Sequence, residues 1–173
     1  MGSDAGLSLV ELIVYLALAV VVTLGVTTMF VSGVSANTST TNRDLATGQA
    51  QLISTSLQTG IRNASDFTVT DNLLRARVAT GASGWQCEAW AITSGGKFVH
   101  RTSSSAIAVP ADFSGWTVLA ETAQGALTGG RAFAMSANRL EARFKITVGD
   151  AGVSIATDAL AQAKGEGSPT TCW

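Results

Sequence analysis

The chain begins with an apolar run unlike anything after it. From Leu7 to Val31, 25 residues, only Glu11 carries a charge at neutral pH. A helix of that length, rising about 1.5 Å per residue, crosses a hydrocarbon core of about 30 Å. Its apolar positions fall on every side rather than on one stripe, the pattern of a helix in lipid. Gly25, Thr23, Thr27 and Thr28 would weaken a helix in water, but small residues permit close helix approach in a membrane. No proline interrupts the run, so no kink is predicted.

Residues 32–42 are rich in Ser, Thr, Asn and Gly, and their helix propensity is poor. They read either as a flexible joint between two helices or as part of one helix. The helical pattern resumes directly after them. Leu45, Leu52, Ile53, Leu57, Ile61 and Ala64 fall mostly three, four or seven apart, with Arg43, Asp44, Gln49, Gln51, Gln58 and Arg62 between them. That spacing predicts an amphipathic helix to about residue 62, ended by Asn63–Asp66.

Strand patterns follow. Leu74, Ala76 and Val78 alternate with Arg75 and Arg77. Gln86–Thr93 and Lys97–Thr102 flank Ser94-Gly95-Gly96 as a hairpin, and Trp116–Glu121 is a further short strand. Arg139–Val148 alternates most clearly, with Leu140, Ala142, Phe144, Ile146 and Val148 on one face. A turn at Gly149–Gly152 sends the chain back along Val153–Thr157. Ser103–Ser114, with Pro110, and Ala123–Arg131, with three glycines, read as loops. Consecutive hairpins imply an antiparallel sheet with one covered face, and the stripe on the second helical segment is available to cover it. The expected fold class is α+β.

An acid near the start of an apolar helix costs about 2.5–3.5 kcal/mol on insertion scales, less near the interface, and such a residue calls for a partner. At this place Gly6-Leu7-Ser8-Leu9-Val10-Glu11 resembles the N-terminal motif of type IV pilins and type II secretion pseudopilins. That family has a short leader ending in Gly, an apolar first mature residue and Glu at the fifth mature position. Gly6, Leu7 and Glu11 match residue for residue. The order of elements is most similar to the PilW-like or J-type minor pilins.

The resemblance implies cleavage between Gly6 and Leu7 by the prepilin peptidase and N-methylation of Leu7. It also implies a subunit-assembly role for Glu11, whose carboxylate would pair with the new amine in this or a neighbouring subunit. The implied layout is a leader at 1–6, a transmembrane helix at 7–31, its amphipathic continuation at 32–62 and a β-sheet head at 63–173. The implied partners are other pilin or pseudopilin subunits, the inner-membrane assembly platform and membrane lipid. The implied location is a single-pass membrane protein with an extracytoplasmic head, carried into a pilus or pseudopilus on assembly. The leader departs from the family pattern in lacking Lys and Arg, so the positive-inside rule assigns no orientation here.

Composition narrows the function classes. The net charge is −1 and charged residues make up 13% of the chain, with no overall basic signal for nucleic acid. The two cysteines, Cys87 and Cys172, both follow the apolar run. Outside the cytoplasm they are candidates for a disulfide that would fix the final residues, Trp173 included, against the sheet; otherwise they are two separate buried thiols. His100 is the single histidine. With no nucleophile motif beside it, neither an enzyme, a metal site nor a cofactor is expected. Arg75, Arg77, Arg101, Arg139 and Arg143 would form a basic stripe if their strands aligned, but solvated strand faces are the expected account. Trp85, Trp90 and Trp116 are expected in the core or on sheet faces. Asp150, in a turn, stays open as a calcium ligand, although no loop around it has the full ligand pattern. The rival functional reading is a membrane-anchored extracytoplasmic binding module for adhesion or DNA uptake.

Overall fold

The computed structural model describes residues 8–81, 84–163 and 171–173. One α-helix, α1, runs from Leu9 to Arg62. Nine strands follow: β1 (Ala64–Thr70), β2 (Leu73–Ala79), β3 (Trp85–Ile92), β4 (Phe98–Ser103), β5 (Thr117–Ala120), β6 (Ala123–Gly125), β7 (Phe133–Ser136), β8 (Arg139–Val148) and β9 (Ala151–Leu160). The class is α+β, with the helix packed on antiparallel sheets. The chain divides into two compact units, one ending at Thr41 and the other running from Asn42 to Trp173. The second half of α1 belongs to the same compact unit as the strands.

Helix α1 is continuous through 32–42. Its threonine hydroxyls find acceptors within the helix itself. Each hydroxyl bonds back to a carbonyl one turn earlier: Thr38 to Val34 (3.1 Å), Thr40 to Ala36 (2.9 Å) and Thr41 to Asn37 (2.9 Å). Thr23, Thr27 and Thr28 do the same at 2.7–2.8 Å. The side chains thus carry no unmet hydrogen-bonding group.

Within the head, α1 buries Ala46, Ala50, Ile53, Leu57 and Ile61, spaced four, three, four and four apart. Leu45 and Leu52, expected on this stripe, are instead 53% and 56% exposed. The buried face begins with two alanines, which bring the helix axis close to the strands; the sequence pattern weights the larger leucines beside them.

The strands form two sheets rather than one. The first is a meander, β1-β2-β3-β4-β5, and the second has β8 at its centre, with β9 along one edge and β6 and β7 along the other. Both sheets share one core with α1. Trp90 and Phe98 from the first sheet meet Phe133 and Phe144 from the second, and all four are fully buried. Phe98 packs edge-on to Phe133, with centroids 6.1 Å apart, and tilted on Phe144 at 5.1 Å. Asn72 ties the sheets, accepting from Ala132 N–H at 2.7 Å and donating to the Gly130 carbonyl.

The expected single covered face is corrected for the first sheet. Its second face carries a smaller core of Leu73, Cys87, Ala89, Ala91, Val99, Ile107, Trp116 and Cys172. Strands β1, β6 and β7 are absent from the expected pattern. A register shift between Ala64 and Asp66 breaks the alternation of β1, and β6 and β7 span only three and four residues. The expected return strand also extends further, to Leu160.

At Gly60 the helix lies close against the first sheet: a Cβ there would collide with the six-membered ring of Trp90. In an exposed helix Gly→Ala is stabilising by about 0.5–1 kcal/mol. At Gly60 the sign should reverse, because Trp90 is 0% exposed and overpacking costs about 1–3 kcal/mol. Gly48, whose added Cβ would meet nothing within 4 Å, provides the contrast. Thermal unfolding should show a lower Tm for Gly60→Ala and an equal or higher one for Gly48→Ala. A Gly60→Ala protein as stable as wild type would contradict this packing.

Candidate functional site

The N-terminal unit holds the residue that sequence alone singles out. Glu11 lies in the first turn of α1, where the partial positive charge of a helix N-terminus favours a carboxylate. The ladder begins with Leu12 N–H donating to the Ser8 carbonyl at 3.1 Å. Among the described residues the Glu11 side chain takes one hydrogen bond, from the Tyr15 hydroxyl at 3.4 Å, one turn along the same face. That contact is long, so the carboxylate retains most of its capacity to accept. Gly6 and Leu7, the expected cleavage and methylation positions, lie outside the described residues.

Around and beyond Glu11, α1 shows apolar side chains on every side. Leu12 to Val34 contribute a near-continuous series of large residues, each at least half exposed. Among the described residues this is the one helix long and apolar enough to cross a membrane, with a mean hydropathy of 2.6 over its best window. What the unit can do follows from its surface: enter lipid or pack against other apolar helices, with one carboxylate near its start.

In the head, Cys87 on β3 and Cys172 near the C-terminus are joined in a disulfide, their Cα atoms 5.4 Å apart. Both are buried in the smaller core, where the Cys172 carbonyl accepts from Ile107 N–H at 3.0 Å. Trp173 does not follow Cys172 inward; it is 44% exposed, contrary to expectation.

The arginines do not assemble into a stripe. Arg75 is 8% exposed and donates to the Ile107 carbonyl at 3.1 Å, holding the irregular segment before Trp116 over the sheet; burial pushes its pKa down. Arg77 donates to Ser65 at 2.7 Å and lies over the Trp85 ring. Arg139 and Arg143 stand on the other sheet, both paired with Asp158 at 3.0 Å. Hydrogen bonds from Arg143, then Arg139, hold the Asp158 carboxyl below its ordinary range. The same contact raises the Arg143 pKa. Trp90 and Trp116 are buried as expected. Asp150 accepts from the Asn42 amide at 3.0 Å, tying the β8–β9 hairpin to α1.

His100 on β4 lies opposite Trp90 on β3, with ring centroids 5.2 Å apart. Its Nε2 is 3.6 Å from Glu88 Oε2, within ion-pair range once the imidazole is protonated but too long for a hydrogen bond. Ser56, Asn63, Gln86, Glu88 and His100 line part of a cleft of about 390 Å³, together with Val78 and Ala79. Trp90 Nε1 donates to Ser56 beside it, at 2.9 Å. The sequence predicts the hairpin but not this pairing, which follows from its register, and the approach of Ser56 depends on where α1 lands. No group of three metal-binding side chains occurs among the described residues.

No family model, curated protein or solved structure matches the chain.

The Asp158 cluster makes a pH prediction. A carboxyl whose pKa is depressed on folding contributes stability that is present above its unfolded value, about 4, and lost as pH falls through the folded value. Asp158→Asn should therefore lower Tm at pH 7, and the gap to wild type should close towards pH 3. A gap of equal size at both pH values would show that the pairs with Arg139 and Arg143 contribute nothing through charge.

Proposed function

We propose that the chain is a prepilin whose processed form is a minor pilin or pseudopilin, entering a type IV pilus or type II secretion pseudopilus through its N-terminal helix. The observation that carries this is Glu11: one carboxylate, in the first turn of a helix otherwise apolar on every side and lacking a strong partner of its own among the described residues. Removal of a leader ending at Gly6 would create an amine at Leu7, four residues before Glu11. A carboxylate and an ammonium a few ångströms apart attract far more strongly in a low-dielectric setting than in water. When the amine belongs to a neighbouring subunit, the pair sets the register between two helices.

Supporting features lie in both units. The apolar circumference of α1 suits lipid before assembly and other helices after it. The disulfide suits a head outside the cytoplasm. The partners are then the prepilin peptidase, the inner-membrane assembly platform, membrane lipid and sibling subunits. The reading is an assembly role rather than an enzymatic one, because the feature that stands out is the lone carboxylate of the apolar helix.

The test is Glu11→Ala, compared with wild type in membrane and sheared-filament fractions of cells that carry the pathway. Removing a charge from the apolar segment leaves membrane insertion intact or improved. Leader removal should also proceed, since Gly6 and Leu7 are unchanged. The variant should accumulate in the membrane fraction and be depleted from filaments by about tenfold, the effect of losing about 1.4 kcal/mol of attraction. Equal recovery of both proteins in the filament fraction would remove the chemical basis of the proposal.

A further inference from the structure

We propose that the outer edge of β9 is a self-association surface, pairing antiparallel with β9 of a second copy about a two-fold axis at Ile155. The inference stands apart from the pilin reading and rests on the head alone.

The hydrogen-bonding direction along β9 follows from its neighbour. In β8, Arg143 N–H donates to Ala132, the Arg143 carbonyl accepts from Ala126, and Thr147 N–H donates to Thr122. Odd-numbered β8 residues therefore face β6 and β7, and even-numbered ones face β9. Their β9 partners are Ala151, Val153, Ile155, Thr157 and Ala159. The N–H and C=O groups of Gly152, Ser154, Ala156 and Asp158 point the other way, and no described strand pairs with them.

The other sheet edges are blunted, whereas no described segment pairs with or caps this one. Strand β1 has a bulge, and Ala163 N–H caps its Ala64 carbonyl. Strands β5, β6 and β7 are only three or four residues long. Strand β9 has ten residues, an unbroken register with β8, and neither proline nor charge from Ala151 to Thr157.

Beside that edge lies a groove of about 280 Å³. Four consecutive β9 residues, Val153 to Ala156, form one wall. Consecutive residues alternate between faces, so a wall that uses all four is the edge of the strand. The opposite wall is Thr47, Ala50, Gln51 and Ser54, an uncharged stripe of α1 at helical spacing. A strand edge flanked by a helix is the geometry that accepts an added strand.

The register selects a second copy as the occupant. With the axis at Ile155, Ser154 faces Ala156 of the other strand and Gly152 faces Asp158, so the outward backbone groups of these four residues find partners. On the inner face Ile155 meets Ile155 and Val153 meets Thr157, β-branched pairs that favour strand association. Val153 and Ile155 are only partly buried in the single chain, although they pack on the core. Moving the axis to Ser154 places Asp150 opposite Asp158, a like-charge pair that disfavours this alternative.

The test is residue-resolved amide exchange on the full chain in detergent micelles, at two protein concentrations about a hundredfold apart. Gly152, Ser154, Ala156 and Asp158 amides should exchange about tenfold more slowly at the higher concentration, while Val153 and Ile155 stay protected at both. Ser154→Lys with Ala156→Lys, on the exposed face, places like charges opposite each other in this register and should abolish the concentration dependence. Ser154→Lys with Ala156→Glu places opposite charges there and should retain it. Association through α1 alone would leave the four outward amides equally fast at both concentrations, which overturns the proposal. Protection kept in the double-lysine variant, or lost equally in both double variants, overturns it as well.

Discussion

A single helix in this protein carries two kinds of surface, one apolar all round and one amphipathic, and the rest of the structure depends on the second. Along its first half α1 is apolar on every side, and its exposed large residues find no partner within their own unit. Along its second half only one stripe is buried. That stripe starts with Ala46 and Ala50 and ends with Leu57 and Ile61, set against two sheets. The segment between is polar in composition yet helical, and its threonine hydroxyls donate to carbonyls of their own helix. A helix that keeps its hydrogen bonds internal can pass from an apolar setting to an aqueous one without a break in the ladder.

The head is built to hold that helix. Trp90 occupies the space left by Gly60 and donates to Ser56, so one side chain sets both the closeness and the rotation of α1 against the first sheet. On the far face of the same sheet the Cys87–Cys172 disulfide and Arg75 hold an irregular segment down over a second, smaller core. Closing a loop of this length restricts the unfolded chain by about 4–5 kcal/mol in the entropy model, an upper figure for a head of modest size. Two sheets sharing one helix leave most edges short or capped, and β9 is the exception.

Much of this is legible in the residues. The apolar run, the hairpin around Gly95 and the alternation of β8 follow from periodicity alone, and the Cys87–Cys172 pairing is one of two options that the sequence leaves open. Other features are hidden for identifiable reasons. The buried helix stripe uses Ala46 and Ala50, which hydrophobicity ranks below the exposed Leu45 and Leu52. Strand β1 is masked by its bulge, and Phe133 sits in a strand too short to show a period. Arg75 reads as a surface residue until the segment around Ile107 covers it. Glu11 stands out at once because a charge in an apolar run has few explanations, whereas the cleft at Glu88 and His100 exists only after α1 and the first sheet have met.

If the proposed processing occurs, the mature chain begins at Leu7 and Glu11 is its fifth residue. The direct measurement is the mass of the N-terminal peptide of the protein isolated from membranes of a cell carrying the pathway. The proposed function predicts a peptide that starts at Leu7 and carries one methyl group on its amine. A peptide in which residues 1–6 are still joined to Leu7 would contradict it.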